Sequence, residues 1–222
     1  MNKNNILLIF GFGYTAKFVC QNFSKKNWQV FCTTRSDEKI KEIKSLNATP
    51  IIFDDGEKIK SILDKDSYML STVPPDKGKD PVIENYGCIF KDKCERIKWA
   101  GYLSTTSVYG DKKGGWVTED TLLKPNLERS ISRVAAEKSW LELEENLSIK
   151  TMIFRLAGIY GPGRSLIDRL IENERVFIVN KPVHLFNRIH VDDIAGAIEM
   201  AISSQSKAKV FNLSDDLPAT QL

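Results

Sequence analysis

The sequence predicts an α/β protein built on a doubly wound parallel sheet. Three observations carry that prediction. Short apolar runs with no in-out alternation suit strands buried on both faces. Stretches of helical length separate these runs, and strand alternating with helix is the pattern of a parallel sheet with helices on both faces. The two long connections, Asp76–Pro81 and Gly110–Glu128, each follow the carboxyl end of a predicted strand, the edge where open α/β sheets bind ligands.

Each element follows from its residues. Ile6–Phe10 is a continuous apolar run and the first strand, and Tyr14–Lys26 is the helix after it. Gln29–Thr34 is the second strand, rich in the β-branched and aromatic residues that fit a pleated surface. The helix Asp37–Leu46 separates it from the strands Pro50–Phe53 and Tyr68–Thr72. The helix Val82–Ile97 leads to the strand Ala100–Ser104, and the helix Arg129–Asn146 to the strand Thr151–Leu156. The helix Asp192–Ser203 precedes a last strand, Val210–Leu213. Right-handed crossovers are then nearly obligatory. The chain reads as one domain, 1–222, with substrate-side segments at about 157–190 and 214–222. Asp215-Asp216-Leu217-Pro218 reads as the cap of another helix, so either the chain is truncated or its substrate-side region is small.

Composition excludes several classes. With 222 residues, 42% hydrophobic and 27% charged, the chain can bury on the order of 70% of its unfolded surface, so it is neither a disordered tail nor a disulfide-stapled miniprotein. A formal charge of +3, with basic residues scattered beside acids, argues against nucleic acid as a partner. Cys20, Cys32, Cys88 and Cys94 lack CxxC spacing and read as reduced and structural. The two histidines, His184 and His190, cannot build a metal site with cysteines so dispersed. No apolar run approaches the roughly 20 residues of a membrane span. Met1–Phe10 lacks the longer core and cleavage site of a signal peptide, and the expectation is a cytoplasmic protein.

The first strand runs into Gly11-Phe12-Gly13-Tyr14-Thr15-Ala16, a G-x-G-x-x-G/A turn opening a helix. Gly11 permits the tight turn, Gly13 lets backbone approach a pyrophosphate, and Ala16 lets helix and strand pack closely. The helix start adds N–H donors and a positive dipole end, so the unit is expected to bind a dinucleotide. An acidic residue at the end of the second strand would accept from the 2′-hydroxyl of NAD. Thr34-Arg35 stands there instead, and a guanidinium with neighbouring hydroxyls binds a 2′-phosphate, which favours NADP over NAD. Asp37 suits a helix cap. Asp54 either accepts from the adenine amino group or serves as a turn residue.

Leu103-Ser104-Thr105-Thr106-Ser107-Val108-Tyr109-Gly110-Asp111 resembles the S-S/T-x-x-V-Y-G segment of the extended short-chain dehydrogenases/reductases, the nucleotide-sugar epimerase and dehydratase group. Arg155-Leu156-Ala157-Gly158-Ile159-Tyr160-Gly161-Pro162-Gly163-Arg164 is similar to that group's R-x-x-x-x-Y-G-P-G segment. Arg188-Ile189-His190-Val191-Asp192-Asp193-Ile194-Ala195 is similar to its R-x-H-V-x-D-x-A segment, and Phe211-Asn212-Leu213-Ser214 to its late strand. The resemblance runs in order along the whole chain. It implies a Rossmann fold, an NAD(P) cofactor and an oxidoreductase, epimerase or dehydratase acting on a sugar nucleotide or a small polar metabolite. The pair of helices that flanks the sheet in this group commonly forms a homodimer.

The resemblance also implies a hydroxyl residue at Thr105, with Ser104 beside it, and a helical Y-x-x-x-K pair. Aligned on Ser132 and Ala136-Glu137, the tyrosine place holds Arg129 and the lysine place holds Arg133. A guanidinium has no lone pair to accept a proton, so Arg129 cannot be a general base, whereas Arg133 can still donate to ribose hydroxyls or a phosphate. Tyr109-Gly110-Asp111-Lys112-Lys113 also spells Y-x-x-x-K, but in a loop where the i, i+4 facing of a helix is absent. Near the expected nicotinamide stand Ser104, Thr105, Tyr109, Tyr160 and His190. Tyr109 either replaces the missing phenol, with a cationic neighbour such as Arg129, or packs under the loop. His190 equally suits a helix cap. Arg155, Arg164 and Arg188 either grip an anionic substrate or are solvated. Val73-Pro74-Pro75 looks like the turn of atypical members that keep the cofactor fold and lose the catalytic residues, and it places Val73 on the cofactor wall. A nucleotide-binding sensor without turnover is the alternative reading.

Overall fold

Ile6–Phe10 forms β1, and its side chains show why the fold has two helical layers. Successive strand residues point to opposite faces. Leu7 and Ile9 join one apolar cluster, and Ile6, Leu8 and Phe10 join the other. A strand buried on both sides needs helices on both sides. The structure, a computed structural model, describes residues 5–172 and 185–220. Of the expected substrate-side segments 157–190 and 214–222, residues 173–184, His184 among them, and 221–222 lie outside the described residues.

The first layer contains α1 (Tyr14–Lys25), α2 (Glu38–Ser45) and α7 (Val191–Ser203), which bury Ala16, Val19 and Phe23, Ile43, and Ile194 and Ile198. The second contains α3 (Gly56–Leu63), α4 (Pro81–Asp92) and α5 (Glu128–Leu147), which bury Ile59 and Ile62, Tyr86 and Phe90, and Ala136 and Trp140. Between the layers run β1, β2 (Gln29–Thr34), β3 (Thr49–Ile52), β4 (Ser67–Ser71), β5 (Ile97–Thr105), β6 (Thr151–Leu156) and β9 (Val210–Leu213). They form a seven-stranded sheet of order β3-β2-β1-β4-β5-β6-β9, parallel at every pairing. The order reverses between β1 and β4, and at such a switch point two loops diverge and leave a crevice. A small parallel pair, β7 (Gly158–Tyr160) with β8 (Arg188–His190), and the short helix α6 (Leu166–Ile171) lie beyond β6. Among the described residues no helix is long and apolar enough to cross a membrane.

The differences from the sequence-based expectation have local causes. The sequence reading names no helix at Gly56–Leu63, yet Asp55 caps one there by accepting from Lys58 N–H at 3.0 Å, and Ile59, Ile62 and Leu63 lie inward. The helix expected to reach Ile97 stops at Asp92. A single 3₁₀ turn, Cys94–Arg96, then reverses the chain, because Ile97 is taken into β5 opposite Ser67 of β4. Among the described residues Asp215–Pro218 does not open a helix. It leads to a single antiparallel bridge between Phe186 and Ala219.

Candidate functional site

The glycine turn lies at the switch point. Gly11 has φ +87°, its N–H donates to Thr33 Oγ1 at 2.8 Å, and a Cβ there would stand 2.9 Å from Thr72 Oγ1 and 3.1 Å from Val73 Cγ2. Only a glycine satisfies both the positive φ and that contact. At Gly13, by contrast, a Cβ would meet nothing within 4 Å, so this backbone faces open space. Thr15 and Ala16 are buried against the sheet. No side chain caps α1 and its first turn holds no acid. The leading N–H groups and the positive end of the helix therefore remain for an anion. Lys39 of α2 donates to the carbonyl of Phe12 at 2.9 Å and braces the turn from outside.

A cleft of about 350 Å³ opens from this turn. Gly13, Tyr14, Thr15 and Ala16 form one end, Thr72 and the end of β5 the floor, and Leu156–Ile159 with Arg164 the far wall. Ser104, Thr105 and Arg133 all line it. Thr105 Oγ1 accepts from Ser107 N–H at 3.2 Å, which leaves its own proton to donate into the cleft. Ser104 Oγ donates instead to Glu137 Oε1, so its proton is committed. Arg133, one turn ahead of Glu137 on α5, donates through Nη1 to Leu103 O at 2.6 Å and to the Tyr102 hydroxyl at 3.1 Å. Among the described residues its remaining N–H groups meet no hydrogen-bond partner. Burial pushes the Tyr102 phenol up, so Tyr102 acts as a neutral anchor for Arg133.

The other candidate residues are dispersed. Tyr109 is 2% exposed, its hydroxyl donates to Asn212 Oδ1 at 2.7 Å and accepts from Arg155 Nη1 at 2.9 Å, and it does not line the cleft. The structure therefore places it as an aromatic packed under the 110–128 loop. Arg155 is not a substrate grip. Its guanidinium holds the buried Glu137 carboxylate at 2.8 Å and also donates to Glu119 O at 3.1 Å. Arg129 is exposed on the first turn of α5 and away from the cleft lining. His190 caps α7, its Nδ1 accepting from Asp192 N–H at 3.2 Å, and Tyr160 meets its ring edge-on at 5.1 Å. Arg188 lies over Phe186 at 5.6 Å. Val73 stands beside Gly11 rather than in the cleft.

The adenosine end is set by β2 and β3. Thr34 Oγ1 accepts from Ser36 N–H at 3.0 Å, which bends the chain as it leaves β2. Arg35 is exposed, with its guanidinium 4.3 Å over the Phe53 ring. Asp37 stands at the start of α2 with no side-chain capping bond, and Asp54 is exposed in the turn after β3. Sequence reasoning missed Lys39 and Glu137. Lys39 carries no local signal, because its partner Phe12 is 27 residues away. Glu137 entered only as an alignment anchor, although a charged residue inside the apolar face of α5 marks a buried partner.

Comparison with known proteins agrees with this geometry. Residues 93–214 match the model of the NAD dependent epimerase/dehydratase family. The Escherichia coli K12 protein YeeZ is 25% identical over 222 residues, spanning 92% of this chain and 76% of YeeZ. A functionally unknown conserved protein of Silicibacter pomeroyi DSS superposes with TM-score 0.86 and 36% identity, over 97% of this chain and 74% of that one. UDP-glucuronic acid 4-epimerase from Bacillus cereus, solved with NAD, superposes with TM-score 0.75 at 22% identity, over 96% of this chain and 79% of that one, a likeness of fold. With a family match over more than half its length and a glycine turn open at the switch point of the sheet, the chain belongs to the NAD dependent epimerase/dehydratase family.

Proposed function

We propose that the chain is an NADP(H)-dependent oxidoreductase or epimerase of this family acting on a sugar nucleotide or a similar small anionic metabolite. The observation that carries the reading is the single cleft that joins the open glycine turn to Thr105 and Arg133. The residues suit the cofactor. A backbone without Cβ at Gly13 and an uncapped helix end suit a diphosphate. Arg133 has N–H groups for ribose hydroxyls. Arg35, placed over the Phe53 ring and in no ion pair among the described residues, suits a 2′-phosphate. When bound, the cofactor supplies a hydride acceptor or donor. The chain's own part is to hydrogen-bond the oxygen on the reacting carbon through the Thr105 hydroxyl and to keep that oxygen beside Arg133, whose fixed charge favours developing negative charge.

The test is calorimetric titration with NADPH and NADH. Arg35→Ala is expected to weaken NADPH about tenfold or more, the equivalent of a charge-assisted hydrogen bond of about 1.5–3 kcal/mol, and to leave NADH nearly unchanged. Equal losses for both would refute the preference for the phosphorylated cofactor. A second reading, a nucleotide-binding module without turnover, is favoured by one observation. Among the described residues lining the cleft there is no carboxylate and no imidazole to take a proton. Tight binding of NADPH, with no change in nicotinamide absorbance across a panel of sugar nucleotides and carbonyl compounds, would select it.

A further inference from the structure

Arg164 has no assigned role, and its position is unusual for an exposed arginine. It ends the turn Gly161-Pro162-Gly163-Arg164, closed by Arg164 N–H donating to Gly161 O at 2.9 Å. This turn leaves the far wall of the cleft and comes back to α1. The Tyr14 hydroxyl donates to Pro162 O at 3.1 Å, and a Cβ on Gly161 would stand 2.8 Å from that hydroxyl and 2.7 Å from Val191 Cγ1. The turn is thus seated directly on the first residue of α1, with a proline stiffening it. The Arg164 guanidinium lies 5.2 Å over the Tyr14 ring and lines the same cleft as Gly13 and Thr15.

We propose that Arg164 binds the cofactor diphosphate from the side opposite the glycine turn, so that the diphosphate is gripped between the start of α1 and the 161–164 turn. The inference rests on the cofactor reading above. Charge argues for it. A diphosphate brings two negative charges, while a helix end offers the equivalent of about half a positive one, and the first turn of α1 contains no basic side chain except Lys17, which is paired with Glu42 at 2.7 Å. Arg133 serves the other end of the cleft, tied to Leu103 and Tyr102 of β5. Arg164 is the guanidinium beside the helix start. Its place over the Tyr14 ring keeps it beside the helix start, where a guanidinium can meet phosphate oxygens in bidentate fashion.

The experiment uses the full chain and its Arg164→Gln and Arg164→Lys variants, titrated with NADPH, NADH, ADP-ribose and adenosine 2′-monophosphate. The first three ligands carry the diphosphate, and the last has no phosphate at its 5′ end. Arg164→Gln is expected to weaken NADPH, NADH and ADP-ribose each by about tenfold or more and to leave adenosine 2′-monophosphate unchanged, with Arg164→Lys intermediate. Unchanged affinity for the three diphosphate ligands overturns the inference. An equal loss for adenosine 2′-monophosphate also overturns it, because the effect would then come from a disturbed turn. Failure of the unaltered protein to bind any of the four would instead refute the cofactor reading itself. Arg164 is exposed, so the variants are expected to fold, and an unchanged thermal midpoint confirms it.

Discussion

Thr105, Ser104 and Tyr109 come from one short segment and have two different fates. The end of β5 and the 3₁₀ turn at Thr106–Tyr109 send them in different directions. Thr105 keeps a proton for the cleft, so Thr105→Ala is expected to lower turnover by about a hundredfold while cofactor affinity stays within about twofold, as for loss of one oriented donor. Steady-state rates beside a nucleotide titration check it. Ser104 and Tyr109 instead join a buried chain that runs Ser104, Glu137, Arg155, Tyr109, Asn212. Glu137 is 3% exposed and Arg155 5%. Arg155→Met strands a buried carboxylate and is expected to cost about 3–5 kcal/mol in urea unfolding, while Arg155→Met with Glu137→Leu is expected to recover much of that loss. The sequence showed all of these residues, and motif spacing singled out the loop hydroxyls. It could not show which hydroxyl was already occupied, because the occupying Glu137 lies 33 residues from Ser104.

At the scale of elements, α4 and α5 are joined by one carboxylate. Asp80 caps α4 by accepting from Val82 N–H at 2.9 Å and Ile83 N–H at 3.0 Å, and its other oxygen accepts from Trp140 Nε1 at 3.0 Å. Burial raises its pKa above the usual carboxylate range, more than these bonds and the Arg133 charge lower it. A folded state that holds its proton to higher pH than the unfolded chain is favoured at low pH. Asp80 therefore contributes stability that is present below the ordinary carboxylate range and is lost as pH rises through the raised value. Asp80→Asn is expected to remove that downward slope in urea midpoints as pH rises above the ordinary aspartate value of about 3.9, at a cost of about 1–2 kcal/mol for the altered cap and the unpaired Trp140 N–H. A slope identical in the variant would refute the assignment. The elements themselves were largely legible. β1, β2, β6 and β9 have the ends that apolar runs give them, whereas the eight-residue α3 was missed.

For the whole molecule, the 110–128 segment straps the carboxyl edge of the sheet. Glu119 Oε1 accepts from Asn212 N–H at 2.8 Å, Lys112 donates to Leu122 O at 2.8 Å, and Gly110, at φ +71°, lies so close to Lys124 that a Cβ would overlap its carbonyl oxygen at 1.9 Å. Gly110→Ala combines that overlap with a positive φ and is expected to cost at least about 1–3 kcal/mol. Limited proteolysis with trypsin should then cut faster at Lys112 and Lys113, and an unchanged cleavage rate would mean that the strap does not depend on this contact.

The sequence by itself determined the doubly wound sheet, the glycine turn and the absence of an acid at the end of β2. These depend on periodicity and on residues adjacent in the chain, where side-chain size and backbone freedom act locally. Only the tertiary structure decided that Tyr109 and Arg155 belong to a buried polar chain, that Thr105 alone of the β5 hydroxyls keeps a proton for the cleft, and that Arg164 comes to rest on Tyr14. Those outcomes depend on which partner each polar group meets across the sheet. Burial makes such pairing decisive, because an unpaired polar group out of water costs several times what a solvated one does, and the partner is fixed by topology rather than by neighbouring sequence.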